Sequence, residues 1–190
     1  MVKNRRVIMR NFLRFFLIFL CLCSFSLQAQ TTSKAELAEF AKKVNAGSQI
    51  KFIFTLFDSG NKVSTTIGGE AKIYKNKYFI ALDNDCKLYS DGVTSWLYNP
   101  DSDEVMITSN NSSAKNILEN PFSILSQDNP NYKVKFIRRL ATSYPQEIIC
   151  IGEQKLSIKI LSFSELRNIS DSVFIFKTDK YPGLTINDLR

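Results

Sequence analysis

Apolar residues along this chain recur with two periods, one after the other. Leu37, Phe40, Ala41 and Val44 fall at i, i+3, i+4 and i+7, the spacing that lines one side of an α-helix. Ser33 and Glu36 form the S-x-x-E pattern of a capping box, and Gly47 supplies a stop, so a helix is expected over 33–46. Over 49–58 the period becomes two. Ile50, Phe52, Phe54 and Leu56 share one face there, and Lys51, Ile53, Thr55 and Phe57 the other. Short strands are expected at 70–74, 77–82, 87–90, 94–98 and 104–108, with Gly68-Gly69, Lys75-Asn76, Asp83-Asn84-Asp85 and Asp91-Gly92 as turns between them. This is the spacing of an antiparallel meander. It breaks at Ser112, where 113–119 and 121–126 read as short helices carrying Ile117, Leu118, Phe122, Ile124 and Leu125. Strand patterns resume at 132–140, 146–151, 156–162 and 172–177. The expected fold is α+β: a strongly curved antiparallel sheet with one N-terminal helix and a short helical insertion, whose apolar stripes are to be buried on the concave face of the sheet.

The first thirty residues change the reading of charge. Lys3, Arg5, Arg6, Arg10 and Arg14 precede an apolar stretch from Phe15 to Phe25 and then Leu27-Gln28-Ala29. That is the layout of a secretory signal peptide, residues 1–29, cleaved after Ala29, with one domain expected over 30–190. The apolar core of about eleven residues falls short of the roughly 20 that span a bilayer. The net charge of +7 then belongs mostly to export: beyond residue 29 stand 20 basic and 18 acidic residues, a net of +2. The basic stripe of a nucleic-acid binder is missing from such a balance. Leu20 and Leu22 precede Cys21 and Cys23, without the small residue of a lipidation site, so a periplasmic protein without a lipid anchor is expected. Cys86 and Cys150 remain. Joined, they would close a loop worth roughly 4 kcal/mol; unjoined, they are small buried hydrophobes, and both readings stay open.

Histidine is absent from the whole sequence, which excludes Ser-His-Asp and Cys-His sites and every histidine metal ligand. Asp83 with Asp85, and Asp101 with Asp103 and Glu104, are the tight acidic groups. All fall in expected turns, where such residues serve local backbone hydrogen bonds. No enzyme, metal site or cofactor is therefore expected. The basic runs, Arg138-Arg139 and Lys72, Lys75 and Lys77, read as solvated strand faces, with a docking patch as the alternative. What the chain holds in excess is large apolar side chains. Ten phenylalanines follow residue 29, and several strands are apolar on both faces, including Phe52 to Phe54 and Val173 to Phe176. A half-exposed antiparallel strand alternates cleanly, so a covered second face is expected, under helices or around a ligand.

Several motifs stand in a telling order: Gly69-Glu70-Ala71-Lys72-Ile73, then Asp91-Gly92, Trp96 and Tyr98-Asn99-Pro100, then Pro121-Phe122-Ser123-Ile124-Leu125, and at the end Tyr181-Pro182-Gly183-Leu184-Thr185-Ile186-Asn187-Asp188-Leu189-Arg190. Together they resemble the outer-membrane lipoprotein carrier family (LolA), whose members carry a similar "DG-x-x-x-W-x-YNP" hairpin. The resemblance implies a half-barrel with a helical lid over a hydrophobic cavity. It also implies a non-enzymatic periplasmic activity: accepting acylated lipoproteins from an inner-membrane lipoprotein-releasing transporter and delivering them to an outer-membrane acceptor, as a monomer and without nucleic acid. Family members commonly have an arginine before a proline ahead of this hairpin, holding the closed lid. Here the stretch is Ile73-Tyr74-Lys75-Asn76-Lys77-Tyr78, which has neither, leaving Lys75 and Lys77 as candidates for lid holding or docking. Candidate acyl-cavity residues, assigned by strand parity, are Phe52, Phe54, Ile80, Trp96, Tyr98, Phe122, Leu125, Phe174 and Phe176. The alternative is a structural or sensory interaction domain whose apolar interior is packed on itself; a carboxylate-based hydrolase is a more distant one.

Overall fold

The computed structural model describes residues 33–109, 121–125, 132–138, 142–152 and 154–190. The expected signal segment, the expected helix over 113–119 and Arg139 lie outside the described residues. Helix α1, Lys34–Asn45, begins where the sequence places its cap: the Ser33 hydroxyl accepts from the Glu36 amide, and the Glu36 carboxylate accepts from the Ser33 amide in return. Phe40, Ala41 and Val44 are buried along one side. At the far end Gly47 has a φ of +125°, and a Cβ there would lie 2.7 Å from the Leu166 carbonyl oxygen. Only glycine fits this tight reversal.

The chain then forms ten strands: β1 Ser48–Phe57, β2 Val63–Tyr74, β3 Lys77–Leu82, β4 Lys87–Ser90, β5 Thr94–Asn99, β6 Glu104–Ser109, β7 Lys133–Ile137, β8 Glu147–Ile151, β9 Lys155–Glu165 and β10 Thr185–Asp188. They make one sheet in the order β10-β6-β5-β4-β3-β2-β1-β9-β8-β7. Its end strands β7 and β10 do not pair with each other, so the curved sheet stays open. The register shifts opposite β1, where Leu161 is the extra residue in β9 and Ser64 the extra residue in β2, the kind of irregularity that bends a sheet. The turns use the residues expected of them. Lys75, Asp85 and Asp103 take positive φ, Gly92 has a φ of +95°, and the Asp91 carboxylate accepts from the amides of Val93 and Thr94.

Three expectations need correction. Gly68 and Gly69 do not form a turn; they lie inside β2, which starts at Val63. The reason is space: Gly69 faces Phe52 across the ladder, and a Cβ on it would meet the Ala81 carbonyl oxygen at 2.7 Å and the Phe52 ring at 3.1 Å. The segment 172–177 is not a strand. It begins as the 3-10 turn Asp171–Phe174, and its apolar residues at alternate positions belong to a strap crossing the sheet. The last departure is direction, since β10 joins β6 in parallel while every other pairing is antiparallel.

Candidate functional site

Cross-strand partners share a face, so the register sorts every candidate side chain to one of two faces. On the inner face, beneath α1, run apolar rows. One is Ile50, Ala71, Ile80, Leu88, Leu97 and Met106, crossing from β1 to β6. Another is Phe136, Ile148, Ile158, Phe54 and Ile67, crossing from β7 to β2. Phe52 pairs with Ile160 on one side and Gly69 on the other.

Two covers close over this face. Helix α1 contributes Phe40, whose ring meets Phe136 edge-on with centroids 5.7 Å apart. The 3-10 turn Pro121–Leu125 contributes Phe122, Ile124 and Leu125. Phe122 stands edge-on to Phe52 at 5.4 Å, an arrangement favoured by the ring quadrupoles. Phe52, Phe54, Ile80, Phe122 and Leu125 therefore come together in one cluster, as the sequence grouped them. The first row also changes character along its length: Ile80 is wholly buried, Leu97 half-buried and Met106 38% exposed, so the apolar face runs out to solvent at β6.

Trp96, Tyr98 and Phe176 do not join that cluster. Trp96 pairs with Tyr89 and Ile107, and Tyr98 with Lys87 and Val105, which puts both on the outer face. The run Trp96-Leu97-Tyr98 is apolar at every position, so parity could not be read from it; Leu97 is the residue that faces inward. Over the outer face lies the strap, residues 171–184, leading from β9 to β10. Phe176 stacks on Tyr98 and Tyr181, with centroids 5.7 and 5.0 Å apart, and meets Tyr89 at 5.5 Å. Phe174, wholly buried, belongs to the strap and not to the inner cluster. Burial, with help from Tyr181, pushes the Tyr89 hydroxyl up to about 12, and burial raises Tyr98 as well, with Asp103 adding to it. Sequence reading missed Phe79, Tyr89 and Tyr181: Phe79 stands between apolar Tyr78 and Ile80, which masks the alternation, and Tyr89 and Tyr181 meet only because the strap crosses the outer face.

The two lysines have separate tasks. Lys77 pairs with Asp171 at 2.8 Å, so it fastens the strap on the outer face and not the inner cover. Lys75 sits in the β2–β3 turn, where its amide donates to the carbonyl of Asn45 at the end of α1 and its ammonium lies 5.1 Å above the Tyr74 ring. Cys86 and Cys150 are both free thiols. Cys150 is wholly buried in β8, and burial pushes its thiol up to about 12. Asp91 acts locally, at its own turn, whereas Glu104 accepts from the side-chain amide of Asn187, far along the chain in β10.

No protein-family model matches this chain, and no curated protein does. Solved structures do. A LolA superfamily protein from Nitrosomonas europaea superposes with a TM-score of 0.50 at 9% identity, covering 76% of this chain and 98% of its own. An uncharacterized conserved protein from Thermus thermophilus reaches 0.47 at 7% identity, over 83% of this chain and 99% of that one. The first likeness is one of fold: the chain carries a LolA-like open sheet, and the resemblance in its motifs has a counterpart in three dimensions.

Proposed function

We propose that this chain is a periplasmic, non-enzymatic carrier. It holds the acyl chains of lipoproteins between the inner face of its sheet and the covers formed by α1 and Pro121–Leu125, and shuttles them from the inner to the outer membrane. A releasing transporter at the first and an acceptor at the second are its partners. The observation that carries this reading is the contact of Phe122 with Phe52: the inner face is closed by a short separate turn whose own aromatic ring fills the interior. Each methylene withdrawn from water is worth about 0.8 kcal/mol, so an acyl chain of some sixteen carbons needs an apolar host to cross an aqueous space. A host must also let go. When its interior is refilled by Phe122 and Leu125 as cargo leaves, the same apolar burial is recovered and the net affinity stays moderate. The apolar row that ends at exposed Met106 gives cargo a path inward.

A second reading has its own observation. Ile50, Phe52 and Ile80 are almost wholly buried with the covers in place, as the self-packed interior of an interaction domain would be. Native mass spectrometry on protein recovered from the periplasm separates the two. Discrete adducts that release acylated material on extraction support the carrier. A clean mass, with no uptake of a diacylated lipopeptide added afterwards, makes the self-packed domain the better account.

A further inference from the structure

On the outer face, away from the interior just described, a cleft of about 360 Å³ opens between β3, β4 and the strap. Its volume lies at the lower end of the range for small-molecule sites. Phe79 and Tyr89 line it from the sheet, their centroids 4.8 Å apart, and Val173 and Tyr181 line it from the strap. Ser172, Ile175, Lys177 and Lys180 complete the lining, and no carboxylate is part of it. Among the described residues neither lysine has an ion-pair partner: Asp171 is held by Lys77, and Asp179 does not line the cleft. We infer that this cleft is a second binding site, for an anionic head carried on a small aromatic or short aliphatic body. The body lies against the rings of Phe79, Tyr89 and Tyr181, and the head is met by the two ammonium groups. The rings contributed by sheet and strap offer π-faces and edges to a planar body, and the two ammonium groups give its charged end a counterpart. This site shares no residue with the inner face, so its ligand and the acyl cargo are independent.

The test uses the full chain with 1-naphthoate, its neutral analogue 1-naphthalenemethanol and phosphatidylglycerol vesicles as probes. Lys177→Glu/Lys180→Glu is the variant; both residues are exposed, so the fold and melting temperature should be unchanged. Saturable naphthoate binding by titration calorimetry, at least tenfold tighter than the alcohol and weakened at least tenfold in the variant, supports a free small acid as the ligand. Flotation with the vesicles, lost in the variant, with no naphthoate uptake, supports the same chemistry supplied by a lipid headgroup. Equal binding of acid and alcohol, equal binding by the variant, or no binding in either arm overturns the inference.

Discussion

At the scale of single residues, the tightest constraint is the absence of a side chain at Gly69. The ring of Phe52, itself almost wholly buried, passes over this position, and the Ala81 carbonyl oxygen closes the other side. Gly69→Ala should therefore destabilise the protein by about 1–3 kcal/mol, the usual cost of overpacking, seen as a lower urea midpoint with an unchanged slope. An unchanged midpoint would mean that Phe52 can move aside freely. The thiols give a second, sharper contrast. Burial raises both, but Cys150 is wholly buried and pushed to about 12, against an ordinary value of 9.0, while Cys86 is only half-buried. Iodoacetamide at pH 8.5 should alkylate Cys86 well before Cys150, by peptide mapping of the native protein, and the difference should vanish in urea. The sign for stability follows: Cys150 stabilises the fold fully below pH 9, where the unfolded thiol is also neutral, and that contribution falls away as pH rises through about 12.

Among the elements, the strap decides how the outer face behaves. It is pinned at one end by Asp171 on Lys77 and at the other by β10, whose backbone bonds to β6; just beyond β10, Arg190 holds the Asp188 carboxylate down to about 2. Asp171 is well exposed, so Lys77→Ala should cost less than about 1 kcal/mol globally, yet hydrogen exchange over 171–181 should quicken while the strands beneath stay protected. Tyr89 adds a pH signature. Its hydroxyl is raised from 10.0 to about 12, so the strap's hold is complete below pH 10 and weakens between there and about 12, which phenolate absorbance under alkaline titration would follow. The strap is also where the sequence was least legible. Phe174 and Phe176 at i and i+2 read as a strand because a period of two is blind to what supports it: here both are buried without a ladder, and Phe176 is held by a stack of aromatic rings. By contrast α1 was plain from its capping box, and β3 and β4 from turn residues that require positive φ.

For the whole molecule, the open sheet with one helix was legible because each element carries a local signal, while the site was legible only in its inner half. Phe52, Phe54, Ile80, Phe122 and Leu125 converge because Lys51 and Thr55 mark the opposite face of β1 from Ile50, Phe52 and Phe54, and because an apolar turn beginning at Pro121 has to be buried somewhere. Trp96 and Tyr98 went to the other face because three consecutive apolar residues leave parity undetermined, and register is set by partners far along the chain. What the closed interior is for can be decided by removing the ring that closes it. Phe122→Ala deletes a buried aromatic side chain, and the protein should lose about 3–5 kcal/mol of stability. In a self-packed domain the loss ends there: the vacated space is the size of one ring, able to take a benzene-sized guest and nothing longer. In a carrier the ring competes with cargo for the same face, so its removal should raise affinity for a palmitoyl probe at least tenfold even as stability falls. Thermal melts and palmitoyl binding measured on the same variant therefore read opposite signs for a carrier. A loss of stability with no gain in long-chain binding would assign the interior to structure alone.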